Sequence, residues 1–230
     1  MAVILNIETS TNVCSTALTA EGTILVHREN YDGQNHATLL SGFIKDCLDH
    51  CADHEIKLDA VAVSLGPGSY TGLRIGLSEA KGIAYGLGIP LIGIDTLKIM
   101  AVNVMFADTS LQGDELFVPM LDARRMEVYT AVYDFALQPL TAPTPLILEP
   151  DSFSKYADER QLLIFGNGSD KARDVLRLPN IRFIPGIEPL AVDMLPLSEQ
   201  AYHNRQFIDL AYSVPTYLKE FQGSKPKKLF

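Results

Sequence analysis

The pattern of hydrophobic and polar positions in the first part of the chain predicts three strands, followed by alternating helices and strands. Three apolar or alternating runs lie at Val3–Glu8, Cys14–Ala20 and Ile24–Asn30, and the turn-prone stretches TSTN and AEGT separate them, which is typical of a meander. Two apolar runs without alternation, Ala60–Gly66 and Pro90–Asp95, are typical of buried strands in a parallel sheet. The order βββαβαβα therefore predicts an α/β fold with a mixed sheet and covering helices.

Helical periodicity predicts three helices within the same region. The first covers His36–Asp53, the second is rich in glycine and runs from about Thr71 to Leu87, and the third covers about Leu97–Phe106. One apolar face of the first helix carries Leu40, Ile44, Cys47, Leu48 and Cys51.

The glycine-rich helix carries a small residue at every fourth position. Leu73 and Leu77 lie beside this small-residue ridge, and Arg74 lies at its rim. An interior glycine costs a helix about 1 kcal/mol relative to alanine, so another element must pack on the ridge to offset that cost. Two interpretations stay open: close packing on the chain's own sheet or first helix, and a docking face for another chain. The ridge consists of Gly72, Gly76, Ala80, Ala84 and Gly88.

A second region of the chain repeats the pattern of the N-terminus. Val3–Ile7 leads to Glu8, Phe117–Leu121 leads to Asp122, and a Thr-Ala pair followed by an apolar residue begins eight residues after each acid. This repeat suggests two related halves, which we place at 1–107 and 108–230 because the polar stretch ADTSLQGDE separates them.

The second half is predicted to be smaller and less regular than the first. QLLIF and IRFIP are expected strands, and helices are expected near Lys171–Leu176 and Leu190–Asn204. Prolines predict a loop-rich connection after the repeated strand pair, and the chain ends in a basic tail, GSKPKKLF. The prolines of this connection are Pro139, Pro143, Pro145 and Pro150.

Composition and charge exclude several classes of function. No apolar run approaches the roughly 18 residues that a membrane span needs. The net charge is −9, so we do not expect the body of the chain to bind polynucleotides directly. The N-terminus is typical of a first strand, not of a signal peptide. Three cysteines without a regular spacing indicate a reduced, cytoplasmic protein.

Two turns are candidates for binding phosphate. GPGSYTG lacks the features of a Walker loop and of the dinucleotide fingerprint, but it follows a strand and opens a helix, where backbone N–H groups favour an anion. The turn at ETST offers an acid and three hydroxyl groups. Each turn has an ordinary structural interpretation as well, since such residues satisfy their own turn hydrogen bonds. The candidate phosphate or nucleotide residues are Thr9, Ser10, Thr11, Gly66, Gly68 and Ser69.

No metal site or catalytic constellation is predicted. His50 and His54 are four residues apart, which can suit zinc, but they lie on the polar side near a helix C-terminus, where a cationic histidine is favourable in itself. No GxSxG elbow occurs, so a Ser-His-Asp triad is unsupported.

Three motifs, LNIETSTNVCSTAL, GPGSYTGLRIGLSEAKGIA and LDARRMEVY, together with a late PTYLKE, resemble the bacterial TsaB (YeaZ) family in order and spacing. The resemblance implies an actin-like/sugar-kinase/Hsp70-type fold of two related halves. It also implies a non-catalytic subunit in the synthesis of threonylcarbamoyladenosine (t6A) at position 37 of ANN-reading tRNAs. The implied partners are the related transferase TsaD, which is the catalytic subunit, and the ATPase TsaE.

The sequence departs from the family pattern at several positions. Glu8 stands where the family usually has Asp, Tyr70 where Phe is commoner, and Lys219 where the late motif has Arg. The catalytic relative carries an HxxxH metal motif after the strand that corresponds to the end of the first sheet. Thr96 and Met100 stand at those positions here, and neither binds such metals well, which argues against independent transfer chemistry.

The family resemblance also implies where partners bind. The helices at about His36–Asp53 and Thr71–Leu87 are expected to pair with the equivalent helices of the transferase, and the chain alone is expected to form a homodimer. ATP or ADP at the partner interface and indirect contact with tRNA are further expectations. The open alternatives are a free-standing nucleotide-binding ATPase or kinase-like enzyme and a glycoprotease-like hydrolase. The candidate docking residues are Leu39, Leu40, Phe43, Leu73, Arg74, Gly76, Leu77 and Ala80.

Overall fold

A computed structural model describes residues 2–33 and 35–219 of the chain. The first sheet has five strands in the order β3-β2-β1-β4-β5. β1 pairs antiparallel with β2 and parallel with β4, and β4 pairs parallel with β5, so the predicted mixed sheet is confirmed. The strands are β1 (Val3–Glu8), β2 (Cys14–Ala20), β3 (Thr23–Asn30), β4 (Ala60–Gly66) and β5 (Leu91–Asp95).

Three helices accompany this sheet: α1 (His36–Asp53), α2 (Tyr70–Leu87) and α3 (Thr96–Ala107), in agreement with the prediction to within a residue. α2 begins where the Ser69 hydroxyl accepts a hydrogen bond from the Gly72 N–H at 3.2 Å. It ends at Gly88, whose φ of 67° is the left-handed conformation that glycine adopts at low cost.

A second sheet of five strands repeats the topology of the first. Its order, β8-β7-β6-β9-β10, matches β3-β2-β1-β4-β5 strand for strand, with the same antiparallel and parallel pairs. The predicted α/β fold of two related halves is thereby confirmed. The strands are β6 (Leu116–Asp122), β7 (Glu127–Thr130), β8 (Thr144–Ile147), β9 (Leu162–Phe165) and β10 (Ile181–Ile184).

The second half differs from the prediction in two elements. β8 lies within the proline-rich stretch that was expected to be a loop, because an edge strand tolerates the missing N–H of Pro145. A short helix, α4 (Ser154–Ala157), was not expected at all. The predicted helices correspond to α5 (Ser169–Val175) and to α6 (Leu195–His203), which a single 3-10 turn precedes.

The helices and sheets form layers around three apolar cores. One core lies between α1, α2 and the outer face of the first sheet, and it includes Leu5, Ile44 and Leu77. The second lies between the two sheets, where α3 and α6 pack, and the third lies on the outer face of the second sheet. The two halves therefore share a continuous core.

The end of the described chain returns to the first half. Ile208 donates a backbone hydrogen bond to the Leu91 carbonyl at 2.9 Å, and Thr216 donates one to the Leu65 carbonyl at 2.7 Å. These residues, which the prediction assigns to the half at 108–230, therefore pack on the edge and turn of the first sheet. The basic tail GSKPKKLF lies outside the described residues.

The small-residue ridge of α2 faces inward from Gly72 to Ala84, and Gly88 at its end is exposed. A Cβ added at Gly72 would overlap the Thr9 carbonyl oxygen, and one at Gly76 would overlap the Thr9 hydroxyl. The Thr9 hydroxyl donates to the Gly72 carbonyl at 2.9 Å, so the ridge packs on the turn after β1. The interpretation of the ridge as a docking face is therefore wrong, and the first interpretation is right.

This orientation also corrects most of the predicted docking residues. Leu39 and Phe43 are partly exposed and Arg74 is exposed, so docking through these side chains stays a prediction. The others are buried in the chain's own core, because they lie on the helix faces that cover the sheet. These are Leu40, Leu73, Gly76, Leu77 and Ala80.

Candidate functional site

A cleft of about 640 Å³ lies between the two halves, at the turns that follow matching strands. From the first half, the turn after β1 and the turn between β4 and α2 line it. From the second half, the turns after β6 and β9 line the opposite side, and residues near the end of the described chain cross between them. The cleft is thus built from equivalent parts of a duplicated fold.

Two turns of the first half lock together to form one wall. The Ser69 N–H donates to the Ser10 carbonyl at 2.6 Å, and a Cβ at Gly68 would overlap that same carbonyl oxygen. Glycine at position 68 therefore permits the close approach of the two turns. Ser10, Thr11, Gly68 and Ser69, four of the six predicted phosphate residues, line the cleft.

The other two predicted phosphate residues lie outside the cleft lining. Thr9 is fully buried and holds α2 through its hydrogen bond to Gly72. Gly66 has a φ of 107° and packs against Leu73 and the Thr216 carbonyl. Both residues pack behind the residues that line the cleft. The structure therefore does not bring all six predicted phosphate residues together in one site.

Glu8 supports the same wall from below. Its side chain is fully buried, and Oε1 accepts a hydrogen bond from the Ser10 N–H at 2.5 Å. Oε2 has no hydrogen-bond partner among the described residues. Burial raises the pKa of Glu8 from an ordinary 4.5 to about 7, despite hydrogen bonds that favour the charged form. This carboxyl group is therefore a turn-supporting group that titrates near neutral pH.

The wall from the second half is built around the hairpin between β6 and β7. Arg124 and Arg125 occupy its tip with φ values of 71° and 52°. Lys171 donates to Asp122 Oδ1 at 2.5 Å and to the Arg125 and Glu127 carbonyls at 2.8 and 2.7 Å. Burial alone would raise the pKa of Asp122, but the hydrogen bond and charge of Lys171 bring it below its ordinary value. The Asp122 carboxylate is thus already engaged.

Residues 216–219, which we call the strap, bridge the two walls. The Tyr217 ring stacks on Tyr70 with centroids 4.8 Å apart, and the Tyr217 hydroxyl accepts a hydrogen bond from Arg74 Nε at 2.9 Å. Lys219 forms an ion pair with Glu127 of the second half. Two departures from the family pattern, Tyr70 and Lys219, therefore both lie in contacts of the strap.

The start of α3 lies in the core between the sheets. Thr96 and Met100 are fully buried there, and a Cβ at Gly166 would overlap the end of the Met100 side chain. The rings of His50 and His54 stack at 4.0 Å at the far end of α1. Within residues 2–33 and 35–219, no group of three His, Cys, Asp or Glu side chains is placed to hold a metal.

Sequence reasoning missed half of the cleft. LDARR and PTYLKE belong to the motifs that resemble the family, but no local pattern indicates that their residues face the turns of the first half. These residues are Asp122, Arg124, Tyr217 and Lys219. The repeat of strand, acid and turn was the available signal, because a duplicated fold places matching turns opposite each other.

The duplicated sheets, with a cleft between their matching turns, define an actin-like/sugar-kinase/Hsp70-type protein, and the predicted fold class is confirmed. A model of the family described as "TsaD: tRNA N6-adenosine threonylcarbamoyltransferase" matches residues 28–218. The chain belongs to this family, and within it to the TsaB (YeaZ) group.

Individual relatives support the same grouping. The chain is 29% identical to the tRNA threonylcarbamoyladenosine biosynthesis protein TsaB of Escherichia coli, over 94% of each chain. It is 35% identical to TsaB of Bacillus subtilis, over 57% of this chain and 55% of that protein. The structure of YeaZ from Pseudomonas aeruginosa superposes with a TM-score of 0.79 at 26% identity, covering 95% of this chain and all of that one. No helix within the described residues is long and apolar enough to cross a membrane.

Proposed function

We propose that this chain is a non-catalytic, partner-stabilising subunit of the complex that makes N6-threonylcarbamoyladenosine at position 37 of ANN-reading tRNAs. It docks to a TsaD-type transferase, a TsaE-type ATPase joins the pair, and tRNA is contacted through the assembly. Family membership supports this role, since the E. coli and B. subtilis relatives are named for biosynthesis of the same nucleoside. Cytoplasmic location follows as part of the same proposal.

The observation that carries the proposal is the outer surface of α2. Ser78, Gly82 and Gly86 recur at every fourth position and are exposed, and we call them the outer stripe. A Cβ added at Gly82 or Gly86 would meet nothing within 4 Å. This open backbone lets a helix of another chain approach closely, unlike the ridge on the opposite face.

The occupant of the outer stripe is the helix pair of the transferase. A protein of the same family has the same first-half sheet and therefore an equivalent pair of helices on its outer face. α1 is joined to α2 here by the Ser41 hydroxyl, which donates to Glu79 Oε1 at 2.8 Å, so the two helices present one surface. Two such surfaces pack as a four-helix bundle. Without the transferase, two copies of this chain pair through the same surface.

The position of α3 supports a non-catalytic role. The side chains of Thr96 and Met100, at the positions where the resemblance places metal-ligating histidines, are buried between the sheets and face away from solvent. A hydroxyl and a thioether there contribute to packing. The transfer chemistry then belongs to the partner.

The cleft favours this role over the two enzyme alternatives. Its lining contains no histidine, and its Asp122 carboxylate is bound by Lys171, so neither a protease pair nor a free general base is present among the described lining residues. ATP or ADP at the transferase interface stays a separate part of the proposal, tested by adding nucleotide to the assembled complex.

Reconstitution with the transferase and ATPase from the same cell tests the proposal. Unmodified ANN-reading tRNA should gain the modification only when this chain is present with both partners, and the chain alone should show no turnover. Full modification by the transferase and ATPase without this chain would contradict the role.

The docking surface is tested by substitution at the outer stripe. Gly82→Leu should fold as well as the parent chain but lose co-purification with the transferase, because the added side chain separates the helices. Ala107→Leu, an exposed small residue at the end of α3, is the matched control and should bind normally. Normal binding by Gly82→Leu would place the interface elsewhere.

A further inference from the structure

A second cavity, of about 280 Å³, lies on the outer face of the second half, away from the cleft and from α2. Strands β7 and β8 form its floor and the segment around α4 forms one side. Val132, Leu146 and Phe153 give it apolar walls, and Lys155 is the charged residue in its lining. Nothing in the proposed role of the chain uses this cavity.

Thr130 lies at the base of the cavity with a hydroxyl group that is buried and unsatisfied. The residue is 2% exposed, and its Oγ1 atom has no hydrogen-bond partner among the residues that the structure describes. A buried hydroxyl without a partner destabilises a fold. A ligand that hydrogen-bonds this hydroxyl would remove that cost.

The first half shows how the same position is satisfied when a long helix covers it. Thr16 on β2 pairs with Ile7 of β1, and Thr130 on β7 pairs with Met120 of β6; each pair belongs to the outer face of its sheet. The Thr16 hydroxyl lies 3.7 Å from the Cys47 sulfur of α1. The short helix α4 provides no such cover, so the cavity occupies the place that a longer helix fills in the first half.

We propose that this cavity binds a small amphipathic carboxylate with an aromatic or branched aliphatic body. Its polar end interacts with the Lys155 ammonium at the rim, which lies 5.5 Å from the centroid of the Tyr156 ring. Its body packs between Phe153, Leu146 and Val132. A water molecule carried in with the ligand hydrogen-bonds the Thr130 hydroxyl at the base. The volume lies at the lower limit for a ligand pocket, which suits a molecule of this size.

Titration of the full-length, isotope-labelled chain with phenylacetate tests the proposal. We expect saturable NMR shifts at Phe153 and Tyr156, with a dissociation constant in the millimolar range. Lys155→Gln should weaken binding about two- to fivefold, and phenylacetamide, the uncharged analogue, should bind more weakly to the parent chain by a similar factor. Equal affinity for both compounds, or no saturable shift at these residues, would overturn it.

Thr130→Ile distinguishes a ligand cavity from an unused void. The added methyl group enters the cavity and the unsatisfied hydroxyl disappears, so this variant should melt no lower than the parent chain and should lose phenylacetate binding. Thr16→Val is the matched control in the first half: it should retain full phenylacetate binding, although it loses the contact with Cys47. Unchanged phenylacetate binding in Thr130→Ile would place the ligand elsewhere and contradict the proposal, whatever the outcome of the transferase experiments.

Discussion

In the first half, two helices of eighteen residues each, α1 and α2, cover the outer face of the sheet, whereas α4 and α5 of the second half have four and seven residues. The strand order and the strand directions are the same in both. The sheet therefore does not depend on the length of its covering helices. What changes is the surface: the first half presents a broad helical face, and the second leaves a cavity over Thr130.

The acids at the ends of β1 and β6 also differ between the two halves. Glu8 ends β1, is fully buried, and has a raised pKa, while Asp122 ends β6, is exposed, and has a lowered pKa because Lys171 binds it. The acids at the ends of these two corresponding strands thus respond to pH in opposite ways.

The largest expected effect is the pH dependence of stability due to Glu8. Its folded pKa of about 7 lies above the ordinary 4.5, so the native state holds the extra proton between these values. The contribution to stability is complete below about pH 4.5 and is lost as pH rises through 7, by up to about 3 kcal/mol. Urea unfolding at about pH 5 and about pH 8 measures it.

Variants separate Glu8 from other groups that titrate in this range. Burial also raises the pKa of Asp193 to about 6, so the parent chain alone does not isolate one group. Glu8→Gln should remove the larger part of the pH dependence and leave the part due to Asp193, whereas Asp122→Asn should leave the whole alkaline loss in place. The same pH profile in Glu8→Gln and the parent chain would show that Glu8 does not titrate as described.

The second prediction compares the two faces of α2. Gly76→Leu should lower the free energy of unfolding by about 1–3 kcal/mol, because its side chain enters the space that Thr9 occupies. Gly82→Leu on the outer stripe should raise it by up to about 1 kcal/mol, since leucine has the better helix propensity and meets nothing nearby. Thermal and urea unfolding of both variants check this, and equal stability of the two would contradict the assigned faces.

This pair also shows where sequence reasoning stops. α2 carries small residues at every fourth position on both faces, Gly72–Gly76 inward and Gly82–Gly86 outward, so spacing alone could not tell the sheet side from the solvent side. β8 was missed because Pro145 is typical of a loop unless the strand lies at an edge. The contact of Arg74 with Tyr217 joins residues 143 positions apart, and no local pattern reports it. The strands and the long helices follow from local periodicity, and the duplication follows from the repeat of strand, acid and turn, so these features were predictable.

The third prediction concerns the strap, which belongs to neither half. Tyr217→Ala should cost about 1 kcal/mol of stability, because it loses the stack on Tyr70 and the hydrogen bond from Arg74. Tyr217→Phe keeps the ring and should cost less than half as much. Urea unfolding compares the two variants. If both lose the same stability, the hydroxyl group and not the stack holds the strap.

The smallest effect compares two hairpin turns. The turn between β2 and β3 uses Glu21 and Gly22 with φ values of 56° and 73°, while the turn between β6 and β7 uses Arg124 and Arg125 at 71° and 52°. Glycine adopts positive φ without the steric cost that other residues have. The first turn is therefore relaxed at its second position, where Gly22 lies, whereas the second turn is strained at Arg125.

Arg125→Gly should therefore raise the free energy of unfolding by roughly 0.5–1 kcal/mol, which is the strain relieved less the entropy added to the unfolded chain. Gly22→Ala, the reverse change at the second positive-φ position of the other turn, should lower it by about 1 kcal/mol. Urea unfolding of the two variants and the parent chain gives both changes in the free energy of unfolding. A loss of stability in Arg125→Gly would contradict the prediction. It would mean that the arginine side chain stabilises this hairpin by more than its backbone conformation destabilises it.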